Sequence, residues 1–133
     1  MGRKRKIIWI VLIILCVLAI QRVGWIYWPS QGEVTYLVSD TGEIIRDPMT
    51  REEIITVKKI LSGHIRWPEL LYGYPACGFG DIFSVTIDGV CYMPCWDSCS
   101  MVAVEGQLGT CKYINIPEEE KEILVEIIIS REN

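Results

Sequence analysis

The sequence holds one histidine, His64, and two phenylalanines, and no acidic residue stands before Glu33. A single imidazole excludes the paired-histidine metal motifs and leaves His64 as the one histidine able to act as a general base. A lone histidine following a helix-terminating glycine such as Gly63 more simply serves the helix dipole. No nucleophile elbow, P-loop or dinucleotide fingerprint is present, and Gly78-Phe79-Gly80 stops one glycine short of the last. No two cysteines are spaced C-x-x-C, the thioredoxin-like pattern. Asp81 and Asp88 could do acid/base work, but an aspartate at a hairpin turn ordinarily serves the turn. The sequence therefore reads as non-catalytic.

The missing N-terminal acids set the charge map. Five of the 13 basic residues precede Pro29, whereas all 17 acidic residues follow it, so residues 29–133 carry a formal charge of −9. Without clustered Lys and Arg that segment has no electrostatic route to nucleic acid or an anionic lipid surface. Both are excluded as its partners.

What the N-terminus does have is an apolar run. Arg3-Lys4-Arg5-Lys6 precedes residues 7–20, fourteen positions without a charge, and Gln21-Arg22-Val23-Gly24-Trp25-Ile26-Tyr27-Trp28 follows. Fourteen helical residues span roughly 21 Å, short of a hydrocarbon core of about 30 Å. Carried on to Trp28, the helix crosses the bilayer, with Arg22 snorkelling and Trp25, Tyr27 and Trp28 forming an interfacial belt. The basic stub then places the N-terminus in the cytoplasm and the rest outside. Two rival readings fit less well. A signal-peptidase site at Val17-Leu18-Ala19 would lie inside the apolar run, and lipidation at Cys16 would follow Leu15 where a small residue is needed. The expected plan is a cytoplasmic stub and signal anchor over 1–28, a linker and first strand over 29–39, and a disulfide-stabilised extracytoplasmic domain over 40–133. The lipid bilayer, met by residues 7–28, is the first partner; an envelope protein is the candidate second.

Within the outer segment, Val34, Tyr36 and Val38 alternate as in a strand, and Asp40-Thr41-Gly42 turns the chain toward Ile44 and Ile45. Thr50-Arg51-Glu52-Glu53 is a capping box opening a helix that ends near Gly63, with Ile54, Val57, Ile60 and Leu61 on its core face and Lys58 and Lys59 turned away. Residues 63–80, rich in Gly, Pro and aromatics, read as an ordered loop. Asp88-Gly89 between two apolar runs predicts a two-residue hairpin pairing Ile87 with Val90, Thr86 with Cys91 and Val85 with Tyr92. Phe83, Val85, Ile87, Val90 and Tyr92 then share one face, and Ser84, Thr86 and Cys91 the other. Residues 101–104 and 111–116 form two more strands. A last helix begins near Pro117, with Asn115 as its N-cap and Glu118, Glu119 and Glu120 at its positive pole, and buries Ile123, Leu124, Ile127 and Ile128. The fold class is α+β, two helices on one face of a small, mostly antiparallel sheet.

Cys91, Cys95 and Cys99 are four residues apart, but Pro94 would clash inside a helix, so Cys91 belongs to the hairpin. Residues four apart along a strand lie roughly 13 Å apart, beyond a disulfide or a shared ion. A three-cysteine metal site and a cofactor are therefore not expected, and Asp97 would raise rather than lower a thiol pKa beside it. In an oxidising compartment disulfides are the default. Strand parity pairs Cys91 with Cys111, Cys77 with Cys99 then ties the loop to the sheet, and Cys95 is left as a buried thiol or an intermolecular bridge. Trp67, Tyr72, Tyr74 and Phe79 offer a candidate contact surface for a protein partner. The alternative function uses Cys95 and Cys99 as a thiol, metal or redox centre.

Cys77-Gly78-Phe79, the hairpin at Asp88-Gly89, Asp97-Ser98-Cys99 and Tyr113-Ile114-Asn115 before a Glu-rich helix together resemble a small extracytoplasmic domain of bacterial single-pass membrane proteins and lipoproteins with no assigned activity. The resemblance covers about residues 40–130. It implies a Cys77–Cys99 bond and no enzymatic role, and treats Cys91, Cys95 and Cys111 as additions.

Overall fold

In the computed structural model, residues 2–68, 78–105 and 111–131 are described, by backbone alone at 66–68 and 111. The chain forms α1 (Arg3–Tyr27), β1 (Gly32–Leu37), β2 (Ile44–Pro48), α2 (Arg51–Ser62), β3 (Arg66–Pro68), β4 (Phe83–Ile87), β5 (Val90–Pro94), β6 (Met101–Glu105), β7 (Cys111–Asn115) and α3 (Glu118–Ile129). The strands make one antiparallel sheet in the order β2-β1-β4-β5-β6-β7-β3. Both edge strands end in proline, Pro48 and Pro68, which cannot donate to an added strand. The α+β class with two helices on one sheet face is thus the observed architecture.

At 25 residues α1 is about 37 Å long, and it is long and apolar enough to cross a membrane. Apart from the buried Ile26, its Ile, Leu and Val side chains are exposed all round, as on a helix whose solvent is lipid.

The local signals explain the sheet and the first helix pairing. Thr50 Oγ1 accepts from Glu53 N–H at 3.2 Å while the Glu53 carboxylate accepts from Thr50 N–H at 2.8 Å, closing the capping box. The hairpin has the predicted register, Val85 opposite Tyr92, Thr86 opposite Cys91 and Ile87 opposite Val90. Its turn needs positive φ at both central residues, and Asp88 (49°) and Gly89 (81°) supply it. Val34, Tyr36, Val85, Ile87, Tyr92, Val102, Val104, Ile114 and Ile116 form the helix-facing core with Ile54, Val57, Ile60, Leu61, Leu124 and Ile128. On the opposite face Met93, Ala103 and Tyr113 make a smaller cluster.

Several expectations are corrected. The loop expected at 63–80 begins with β3, which pairs Trp67 with Tyr113 across the far edge. Gly63 is the C-cap of α2 as expected, in the right-handed region with φ −74°. The N-cap of α3 is Pro117, and Asn115 remains in β7. Ile123 is 43% exposed, and Lys121 takes an inward position instead. The first strand is no appendage to a domain beginning at residue 40: β1 lies between β2 and β4 and pairs with both.

The largest correction is Lys58, which is 0% exposed. Its ammonium donates to Trp25 O at 2.9 Å, Trp28 O at 3.2 Å and the Ser30 hydroxyl oxygen, and sits 5.3 Å from the Trp25 ring centroid. These carbonyls belong to the C-terminal end of α1, whose last carbonyls have no helical donor and form the negative pole of the dipole. Ser30 also hydrogen-bonds Asp88, whose Oδ1 accepts from Gln31 N–H at 3.0 Å. These contacts hold the Asp88 carboxyl below its usual range, the Ser30 hydroxyl contributing most. Burial pushes the Lys58 amine down, opposed by the Asp88 charge. The linker is thereby fastened on one side to α2 and on the other to the β4–β5 turn.

The ends of α2 and α3 are tied crosswise. Arg131 pairs with Glu53 at 2.6 Å, His64 Nε2 lies 2.6 Å from Glu120 Oε2, and Tyr36 donates its hydroxyl to Arg131 O at 2.8 Å.

Lys58→Met in the full chain leaves the Trp25 and Trp28 carbonyls without their cation, and a loss of roughly 3 kcal/mol is expected in denaturant unfolding in detergent. Lys59→Met, which removes only a cation over Tyr27, should cost about 1 kcal/mol or less. Equal losses would remove Lys58 from its place as the fastening residue. Arg131 holds the Glu53 carboxyl below its ordinary value of 4.5, against partial desolvation. A depressed carboxyl pKa stabilises the fold above the unfolded pKa and loses that contribution as pH falls through the folded one. Glu53→Gln should therefore be less stable than wild type at neutral pH by on the order of 1 kcal/mol, with the gap closing below about pH 4.5. A gap that persists under acid would refute it.

Candidate functional site

The chain leaves β5 at Pro94 and enters β6 at Met101, and the Cys95 N–H to Met101 O bond of 3.0 Å closes the loop between them. Asp97 organises that loop. Its Oδ1 accepts from Cys99 N–H at 2.9 Å, an Asx turn, and from the Cys95 thiol at 2.8 Å; Oδ2 accepts from Gly78 N–H at 3.3 Å. These donors, the Cys95 thiol first, hold the Asp97 carboxyl below its usual range, helped by the charge of Lys121. From α3, the buried Lys121 ammonium donates to Asp97 O and Cys99 O, both at 2.7 Å. Ser100 completes the attachment by donating to Glu118 Oε2 at 2.9 Å.

The result is a cluster that residue spacing alone did not reveal. One donor atom each from Cys95, Asp97 and Cys99 lie within 4.8 Å of one another. Cys95 is fully buried, Cys99 half-buried and Asp97 exposed. Sequence reasoning treated Asp97 as a neighbour unfavourable to a thiolate, set Cys91 apart in the hairpin and kept Cys95 and Cys99 as the alternative thiol or metal pair. The bends at residues 96–98 bring that pair together with Asp97, and the signal for them was Asp97-Ser98, a turn-forming pair three residues after Pro94.

Trp96 lies across Gly78 and Gly80, with Trp96 N–H donating to Gly78 O at 3.2 Å. A Cβ on Gly78 would overlap the indole, and one on Gly80 would meet its Cη2 at 2.9 Å. These two glycines thus serve close approach of a ring and not a phosphate. Trp96 is still 53% exposed and stacks on Phe83 with centroids 6.5 Å apart. The two rings edge a groove of about 570 Å³ whose other wall is α3, through Lys121, Val125 and Ile129, with Glu118, Glu122 and Glu126 along the rim.

The other expected site residues fall elsewhere. Cys91 and Cys111 both stand opposite Glu105, on strands separated by β6. Two strand spacings amount to roughly 10 Å, beyond the 4.4–6.8 Å Cα separation of a disulfide, so the strand-parity pairing is corrected. No disulfide joins any two of the described cysteines Cys16, Cys91, Cys95 and Cys99. Cys77, Tyr72 and Tyr74 lie outside the described residues, as does the side chain of Trp67. Phe79 is half-buried and packs on Tyr113, centroids 5.7 Å apart. His64 is bound to Glu120, and Asp81 and Asp88 flank opposite ends of β4. Comparison with known protein families, curated proteins and solved structures finds no match.

Gly78→Ala should cost about 2 kcal/mol in denaturant unfolding, because the indole or the backbone at 78–80 must shift. Combining it with Trp96→Leu should give less than the sum of the two single losses. Strict additivity would mean that Gly78 is not shaped by Trp96.

Proposed function

We propose that the chain is a single-pass membrane protein whose sandwich lies outside the membrane and acts as a non-catalytic binding or accessory domain for an envelope protein. The basic stub before α1 supports that orientation. The observation that carries the binding role is the groove between Phe83–Trp96 and α3. It presents a large, half-exposed aromatic beside an aliphatic wall, and its rim holds three glutamates on a segment of formal charge −9. Aromatic anchors in a pocket with a polar rim are the usual composition of energetically dominant contacts. Acidic rims favour a segment in which an apolar side chain is flanked by Lys or Arg. The Lys58 fastening supports the reading further, since a domain held against its anchor presents this groove at a set angle to the membrane. The candidate surface accordingly moves from the aromatic loop to Trp96, Phe83, Val125 and Ile129.

A photo-cross-linking residue at Val125, in the full chain expressed in its own membrane, should yield a discrete protein adduct that the same residue at Ile44, exposed on β2, does not. Reversing the rim charge with Glu122→Lys and Glu126→Lys, both exposed, should cut that adduct severalfold without changing thermal stability. Adducts equal at both positions, or insensitive to charge reversal, would overturn the groove as the binding surface.

A further inference from the structure

We infer that Cys95, Asp97 and Cys99 form a binding site for one thiophilic divalent cation of the zinc class. The reading does not depend on the partner groove. Three protein donors, two of sulfur and one of carboxylate oxygen, sit within 4.8 Å of one another. Tetrahedral bonds of about 2.3 Å to sulfur and 2.0 Å to oxygen require ligand spacings of roughly 3.5–3.8 Å, so small side-chain rotations close the set. A sulfur-rich donor set selects Zn²⁺ or Cd²⁺ over Mg²⁺ or Ca²⁺. Among the described residues the set supplies three protein ligands, of which Asp97 is the exposed one.

The frame around the donors is built. Asp97 is fixed by the N–H groups of Cys99 and Gly78, which are the kind of outer hydrogen bonds that hold a ligating carboxylate in orientation. Lys121 pins the carbonyls on either side of Ser98, fixing the loop that spaces Asp97 and Cys99. It also balances charge. Binding releases the two thiol protons to solvent, and the three resulting negative charges are met by two on the ion and one on Lys121. Cys95 is fully buried beneath the loop, and its thiol points at the Asp97 carboxylate.

The test uses the full-length protein, purified in detergent under reducing and chelating conditions and titrated with Cd²⁺. One equivalent should bind with an ultraviolet thiolate-to-metal charge-transfer band that Zn²⁺ competes away. Cys95→Ser and Cys99→Ser should each remove at least half of the band, Asp97→Asn should weaken binding roughly tenfold or more, and Cys91→Ser should leave it unchanged. A second readout needs no variant: in wild type, Cd²⁺ should protect the half-buried Cys99 from alkylation and leave Cys91, equally half-buried, reactive. A band that survives in the Cys95→Ser/Cys99→Ser double variant would overturn the site. Failure of Cd²⁺ to protect Cys99 would do the same, as would a Cys95–Cys99 disulfide in protein isolated without reductant.

Discussion

The ammonium of Lys58, bonded to two carbonyls at the end of α1 and to Ser30, is the interaction on which the placement of the whole sandwich depends. A helix such as α1 ends with carbonyls that no helical N–H can satisfy, at the negative pole of its dipole. Water or lipid headgroups could satisfy them; here a cation from the folded domain does. Burying an ammonium costs several kcal/mol unless its donors are used, and Lys58 uses them while lying over the Trp25 ring. The Ser30 hydroxyl passes the constraint to Asp88, and Asp88 and Gln31 exchange backbone and side-chain bonds across the same few ångströms. The turn that fixes the hairpin register therefore also fixes the linker.

Lys121 repeats the device at the opposite end of the domain. It too is a buried lysine projecting from a helix onto backbone carbonyls of a loop, those of Asp97 and Cys99. Between them the crosswise pairs Arg131–Glu53 and His64–Glu120 hold the two helices end to end. Apolar burial alone would leave two helices room to slide over a flat sheet. Charged contacts at the helix ends and buried ammoniums at fixed points give the layer one alignment.

The elements that were legible in the sequence are those whose causes are local. A capping box needs four consecutive residues, an Asp-Gly hairpin needs two, and strand parity needs only alternation, so Thr50–Glu53, Asp88-Gly89 and the two faces of β4 and β5 could be read directly. Lys58 was misread and Lys121 was not placed, although a signal existed for both. Ile54, Val57, Lys58 and Leu61 follow the i, i+3, i+4, i+7 spacing of one helix face, as do Lys121, Leu124, Val125 and Ile128. Assigning lysine to solvent by residue type overrode the position it held in the stripe. The carbonyls that make such a position tolerable lie 33 and 24 residues away in sequence, and no local pattern announces them. The same distance hid the thiol cluster, because the N–H that fixes Asp97 comes from Gly78, 19 residues earlier.

The groove and the thiol loop are two sides of one piece of chain. Trp96 stands between Cys95 and Asp97 in sequence, donates its N–H to Gly78 and turns its ring outward onto Phe83. Lys121 lines the groove and at the same time holds the loop carbonyls. Asp97 cannot move relative to Cys95 without moving the backbone of Trp96, and the indole cannot tilt inward because Gly78 and Gly80 already lie at contact distance beneath it.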